Sequence, residues 1–167
     1  MTKAKRWAVF AVCAGLLVAL DLLLKNWSAA NLQGQPDRVL VPGFLGLTYL
    51  ENPGAAFGLL GGFQHGRPIL IVVSSLLMLG VMWYFHILPG ERRFWFLRVP
   101  LIMIFAGGVG NLYDRVALGA VRDMLEFLFV RFPIFNLADV FITTGAVGFF
   151  AVSLFLVKDI PFFHAEA

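Results

Sequence analysis

Charge is what this chain has least of. Asp, Glu, Lys and Arg make up 14% of its 167 residues, where a soluble domain carries about 25%. A shortfall of that size excludes an ordinary solvated surface. Cysteine is nearly absent: the single one, Cys13, lies inside an apolar run. One cysteine makes neither an internal disulfide nor a zinc site, and Cys13 is expected to be a small buried apolar residue. The only histidines are His65, His86 and His164, without HExxH or other metal-ligand spacing, so neither metal nor cofactor is expected. There is no GxSxG elbow for serine chemistry, no GxGxxG and no phosphate loop. The formal net charge is +3, but the basic residues form no stripe interleaved with aromatics, so no nucleic-acid partner is expected.

What the chain does have is apolar residues: 60% are hydrophobic and the mean hydropathy is +0.85. They fall in four runs, 7–24, 68–88, 97–113 and 139–157, each about the length a helix needs to cross a bilayer. The first run, preceded by Lys3, Lys5 and Arg6 and followed by Ser28-Ala29-Ala30, also has features of a cleaved signal peptide. Asp21 and Lys25, however, separate the run from that small-residue site. Four spans put both termini on one side. That side holds Lys3, Lys5, Arg6, Arg92, Arg93, Arg98 and Lys158 in three short stretches. The other holds Lys25, Arg38, Arg67, Arg115, Arg122 and Arg131 in two long ones. The denser side is predicted to be cytoplasmic. No internal repeat or low-complexity segment is present, and the chain reads as a single membrane domain, 1–167.

Both long connections then lie on the outer face. In the first, Pro42-Gly43 precedes a run of strand formers from Phe44 to Leu50, and Asn52-Pro53-Gly54 follows as a turn. We expect a small β element at the membrane surface over about 39–60, touching lipid, a greasy substrate or the helix ends. The second, 114–138, is dense in charge: Asp114, Arg115, Arg122, Asp123, Glu126 and Arg131.

Carboxylates at membrane depth are costly and become functional candidates for that reason. Asp21, Asp114 and Asp139 lie at the outer ends of spans, and Asp123 in the connection between the third and fourth. Asn136 is placed to cap the fourth helix, with Asp139 in its first turn. The chain between Asp123 and Asp139 is long enough to bring the two together. Two close carboxylates share one proton, so one can act as a base towards water while the other donates to a carbonyl, as in aspartic peptidases. Asp21 and Lys25, four apart on a helix, can pair along one face. They either end the first span as an interfacial ion pair or hold the architecture of a site. Gly107, Gly108 and Gly110 read as close helix packing. On the residues alone, a proton-coupled transporter and a non-catalytic scaffold stay open. The clustering of the polar groups at one end, with two acids in the same corner, favours the peptidase.

Gly110-Asn111-Leu112-Tyr113-Asp114-Arg115, followed by Gly119, Val121 and Asp123, resembles the central signature of the bacterial lipoprotein signal peptidases. Phe135-Asn136-Leu137-Ala138-Asp139 is similar to their second signature, and Glu51-Asn52-Pro53-Gly54-Ala55-Ala56-Phe57 to their outer-face motif. Asp21 and Lys25 match the acid and lysine at the end of their first span. The resemblance covers nearly the whole chain. It implies a membrane all-α core of four transmembrane helices with a small extracytoplasmic β cradle. It also implies a multi-pass enzyme of the bacterial inner membrane, with both termini cytoplasmic and the active site near the outer face. Asp123 and Asp139 would be the catalytic dyad, with Asp21, Lys25, Asn52, Gly54, Asn111, Asp114, Arg115 and Asn136 positioning substrate or bracing it. The substrates implied are diacylglyceryl-modified prolipoproteins, cut before the lipidated cysteine by a monomeric enzyme in contact with membrane lipid. Leu22 and Leu24 replace polar residues common in that family. Arg122 and Met124 flank Asp123, at positions where apolar or aromatic residues are more usual.

Overall fold

A backbone in hydrocarbon must satisfy its own N–H and C=O groups, and a continuous apolar segment does so by forming a helix. The computed structural model, which describes residues 1–54, 62–63 and 65–155, has four such helices among those residues. They are α1 (Lys3–Asn31), α2 (Gly66–Ile87), α3 (Trp95–Ala117) and α4 (Leu137–Phe155). A short 3-10 turn, Arg92–Phe94, leads into α3. All four are long and apolar enough to cross a membrane.

Several boundaries differ from the expected ones, and two of the differences are instructive. α1 does not stop near Leu24 but runs on through Asp21 and Lys25 to Asn31. The pair therefore lies within the helix, fully buried with Nζ 2.8 Å from Asp21 Oδ2, and does not end it. α3 likewise extends past Tyr113 to Ala117 and carries Asn111 and Asp114 on its buried side. α2 begins two residues before the expected run, and α4 begins at Leu137, just after its cap. The expected end of the fourth span at 157, and residues 55–60 of the expected β element, lie outside the described residues.

The burial pattern is inverted relative to a soluble protein. Leu16 and Phe150 are 66% and 65% exposed, whereas Asp21, Lys25, Asp114 and Asn136 are fully buried. Apolar side chains face outward where lipid is the solvent, and the polar ones face one another. Away from the polar end, Phe10, Phe85, Phe94, Leu97 and Leu101 build an apolar core, with Cys13 half-buried against it. α3 is the central helix, packed on α1, α2 and most extensively on α4. Gly107 makes the α3–α4 approach possible, because a Cβ there would run into the Ala138 carbonyl oxygen. A Cβ at Gly110 would strike the Asp21 carboxylate in the same way. These glycines serve packing, as their spacing suggested.

Three strands complete the described fold: β1 (Arg38–Val41), β2 (Leu45–Asn52) and β3 (Val121–Phe127). They form an antiparallel sheet in the order β1-β2-β3. β1 and β2 fall within the expected cradle. β3 was not expected as a strand. It pairs Leu50 with Asp123, Glu51 with Arg122 and Asn52 with Val121. On its other side, Leu125 and Phe135 exchange backbone hydrogen bonds of 2.8 and 2.9 Å. β3 is thus held on both sides where it meets the helix ends.

Candidate active site

The site assembles where the C-terminal ends of α1 and α3 meet the N-terminus of α4 and the β2–β3 ladder. α4 starts with a reciprocal cap. The Asp139 N–H donates to Asn136 Oδ1 at 3.0 Å, and the Asn136 N–H donates to Asp139 Oδ2 at 3.1 Å. An N-cap amide and an N3 acid satisfy two otherwise orphaned donors in this way. The cap fixes the Asp139 carboxylate at the head of the helix. It also turns the Asn136 side-chain amide towards β3, where Nδ2 donates to Asp123 Oδ1 at 2.7 Å and to Asn111 Oδ1 at 3.1 Å.

Asn111 links the two halves. Its Nδ2 donates to Asp139 Oδ1 at 2.8 Å, while its Oδ1 accepts from Lys25 Nζ at 2.8 Å. The lysine therefore determines which way this amide faces. Lys25 also pairs with Asp21 and lies 3.7 Å from Asp114 Oδ2. Asp21 in turn accepts the Ala138 N–H at 2.9 Å, which ties α1 to the first turn of α4. From the cradle, Asn52 Nδ2 donates to Asp123 Oδ2 at 3.2 Å. Asn52 Oδ1 accepts the Gly54 N–H at 3.0 Å, and Arg115 Nη2 donates to the Gly54 carbonyl at 3.1 Å. All ten candidate residues read from the sequence thus lie in one connected network. Its outer members hold its inner ones, and the chain of contacts ends on Asp123 and Asp139.

The electrostatics single out Asp123. It is 2% exposed, and its carboxyl is pushed up to about 7, first by burial and then by the Asp139 charge. The amides of Asn52 and Asn136 oppose that rise but do not cancel it. Among the described residues, no group of three or more His, Cys, Asp or Glu side chains is arranged to hold a metal ion.

A model of the family described as signal peptidase (SPase) II matches residues 13–155. The chain belongs to the signal peptidase II family. It is 38% identical over 143 residues to the lipoprotein signal peptidase of Streptococcus pneumoniae, covering 86% of this chain and 90% of that one. With the lipoprotein signal peptidase of Enterococcus faecalis the identity is 37% over 151 residues, covering 90% and 89%. Two solved structures share the architecture, both bacterial membrane enzymes determined by the in meso method. The one at 2.3 Å resolution superposes with a TM-score of 0.75 at 25% identity, over 96% of this chain and 94% of that one. The one at 1.9 Å gives 0.77 at 26% identity, over 90% and 95%. Membership of this family makes the chain a protease, and with its four apolar helices a multi-pass membrane protein.

A cavity of about 430 Å³ is lined by both Asp123 and Asp139. Asn52, Asn111, Arg115, Thr143 and Thr144 supply its other polar lining, and the rest of its wall is apolar, with Phe127, Phe132 and Ile142 among the lining residues. An apolar chamber ending on two carboxylates can hold a greasy segment and present its polar backbone to the acids. Two network members were not singled out as site residues from the sequence. Arg122 grips Asp114 through Nη2 and Nε at 2.7 and 3.1 Å, and donates from Nη1 to Asn26 Oδ1 at 2.6 Å. The available signal was Arg122 itself, a cation at a position where the family resemblance suggests an apolar residue.

Proposed function

We propose that this chain removes signal peptides from diacylglyceryl-modified bacterial prolipoproteins, cutting just before the lipidated cysteine, with Asp123 and Asp139 as its catalytic pair. The observation that carries this reading is the joint suspension of the two carboxylates from Asn136 and Asn111 at the head of an apolar cavity. The names of the relatives supply the substrate class.

In this mechanism the pair holds one proton, and the raised Asp123 keeps it. The Asp139 carboxylate accepts a proton from a water as its oxygen attacks the scissile carbonyl carbon. Asp123 donates its own proton to the carbonyl oxygen, which gives a neutral tetrahedral diol. The C–N bond then breaks, the amine leaves with the proton held on Asp139, and a diol hydroxyl returns its proton to Asp123. Atoms and charges balance without metal or cofactor. Asn111 and Asn136 hold the carboxylates in register, and Lys25, Asp21 and Asp114 brace those amides. Asn52, Gly54 and Arg115 position the substrate backbone. The chain works as one peptidase unit and as a monomer. It sits in the inner membrane with both termini cytoplasmic and the site near the outer face, where a lipid-anchored scissile bond would arrive.

Purified protein in detergent should be given a diacylglyceryl-modified prolipoprotein and its unmodified form, and the cut site mapped by mass spectrometry. Cleavage immediately before the lipidated cysteine, with the unmodified form cut far more slowly, is expected. A cut elsewhere, or no cut by a folded monodisperse preparation, rejects the reading.

A further inference from the structure

We propose that Arg122, the residue preceding Asp123, is a positioning residue of this enzyme: its fork on Asp114 frees Lys25 to hold Asn111, and through Asn111 it sets Asp139. The geometry is specific. Arg122 is 6% exposed and approaches Asp114 with both arms, Nη2 to Oδ1 at 2.7 Å and Nε to Oδ2 at 3.1 Å. Its backbone N–H donates to that same Oδ2 at 3.1 Å. Nη1 reaches Asn26 on α1 at 2.6 Å, and its carbonyl accepts from Asn136 Nδ2 at 3.4 Å. One residue therefore ties β3 to α3, to α1 and to the α4 cap.

The charges give the tie its consequence. Two buried cations face two buried carboxylates, and the distances divide them one to one: Lys25 with Asp21 at 2.8 Å, Arg122 with Asp114 at 2.7 Å. Lys25 stays 3.7 Å from Asp114, and its ammonium remains available to Asn111 Oδ1. A guanidinium fork matches a carboxylate in a way an ammonium cannot. Without Arg122, one ammonium would serve two buried carboxylates, and the unpaired charge on Asp114 would pull Lys25 away from Asn111. The Asn111 amide would lose the donor that determines its direction, and Asp139 would lose the hydrogen bond it receives from Asn111.

The test compares kcat and KM for prolipoprotein cleavage in Arg122→Met, Arg122→Lys and the double variant Arg122→Met/Asp114→Asn, with melting temperatures recorded in the same detergent. A hydrogen bond to a charged group is worth on the order of 10–100-fold in rate. Arg122→Met is accordingly expected to lose that much in kcat, with KM changed less than about threefold. Arg122→Lys should fall between it and wild type, because it restores charge but not the fork. The double variant removes the unpaired carboxylate and should turn over faster than Arg122→Met alone. A merely structural role predicts the opposite, a double variant no faster than the single. That result, or wild-type kcat in Arg122→Met, overturns the proposal. If Arg122→Met does not fold, Arg122→Lys decides: a lowered kcat at an unchanged melting temperature supports the role, and wild-type kcat rejects it. Because this role presupposes the Asp123–Asp139 dyad, Asp123→Asn is assayed alongside. Turnover surviving in Asp123→Asn sinks the dyad, whereas an inactive Asp123→Asn beside an unimpaired Arg122→Met sinks the Arg122 role alone.

Discussion

Asp123→Asn should change how stability depends on pH, and the burial of Asp123 beside Asp139 gives the sign and the order of magnitude. In the unfolded chain Asp123 ionises at its ordinary value of 3.8, whereas in the folded protein it keeps its proton up to about 7. Between those values the folded state binds more protons than the unfolded one, so stability falls as pH rises from about 4 and levels off above about 7. The interval corresponds to about 4 kcal/mol at 1.36 kcal/mol per pH unit, as an order of magnitude. Asparagine cannot ionise and removes the whole dependence. Against this gain, Asp123 accepts from both Asn52 and Asn136, and asparagine offers only one carbonyl oxygen. One buried donor then loses its acceptor, at a cost of about 1–3 kcal/mol. Asp123→Asn should therefore be more stable than wild type at pH 8, by about 1–3 kcal/mol, with the advantage gone at pH 4. Chemical unfolding in detergent, followed by tryptophan fluorescence at both pH values, measures it. Titrating groups remote from Asp123 are common to both proteins and cancel. Parallel stability profiles for wild type and variant would refute the reasoning. The same ionisation sets an alkaline limb for activity, with kcat/KM falling about tenfold per pH unit above about 7.

Two further perturbations follow from the buried network. Lys25→Met leaves Asp21 as an uncompensated buried charge and should destabilise the protein by about 3–5 kcal/mol. Unfolding measurements check this, and a loss below about 1 kcal/mol would contradict it. Asn136→Ala removes the α4 cap together with the bond to Asp123 and should cost about 2–4 kcal/mol. It should also lower turnover of the protein that remains folded, which an active-fraction-corrected kcat would reveal.

The membrane explains why so much of this fold is legible in its sequence. A helix in lipid must be apolar over most of its length, so the four runs stand out without any knowledge of their packing. What hydropathy misreads is where polar residues belong to a span. The apolar run takes in Asp21 and ends at Leu24, before Lys25, yet α1 continues to Asn31, because Asp21 and Lys25 neutralise each other inside the bundle. β3 was missed for a related reason. Val121 to Met124 are all buried, so the strand has no in–out alternation, and Arg122, Asp123 and Glu126 make it look like a solvated loop. Its pairing with β2 is long-range, and nothing local announces it. The Asn136–Asp139 cap was legible because its partners are three residues apart. The Arg122 fork was not, because it joins three elements that only the fold brings together.

The most direct test of the whole account is prolipoprotein cleavage by wild type, Asp123→Asn and Asp139→Asn at equal folded concentration. The account predicts cutting before the lipidated cysteine by wild type, and a loss of several orders of magnitude in each variant. Near-normal turnover in either variant would contradict it.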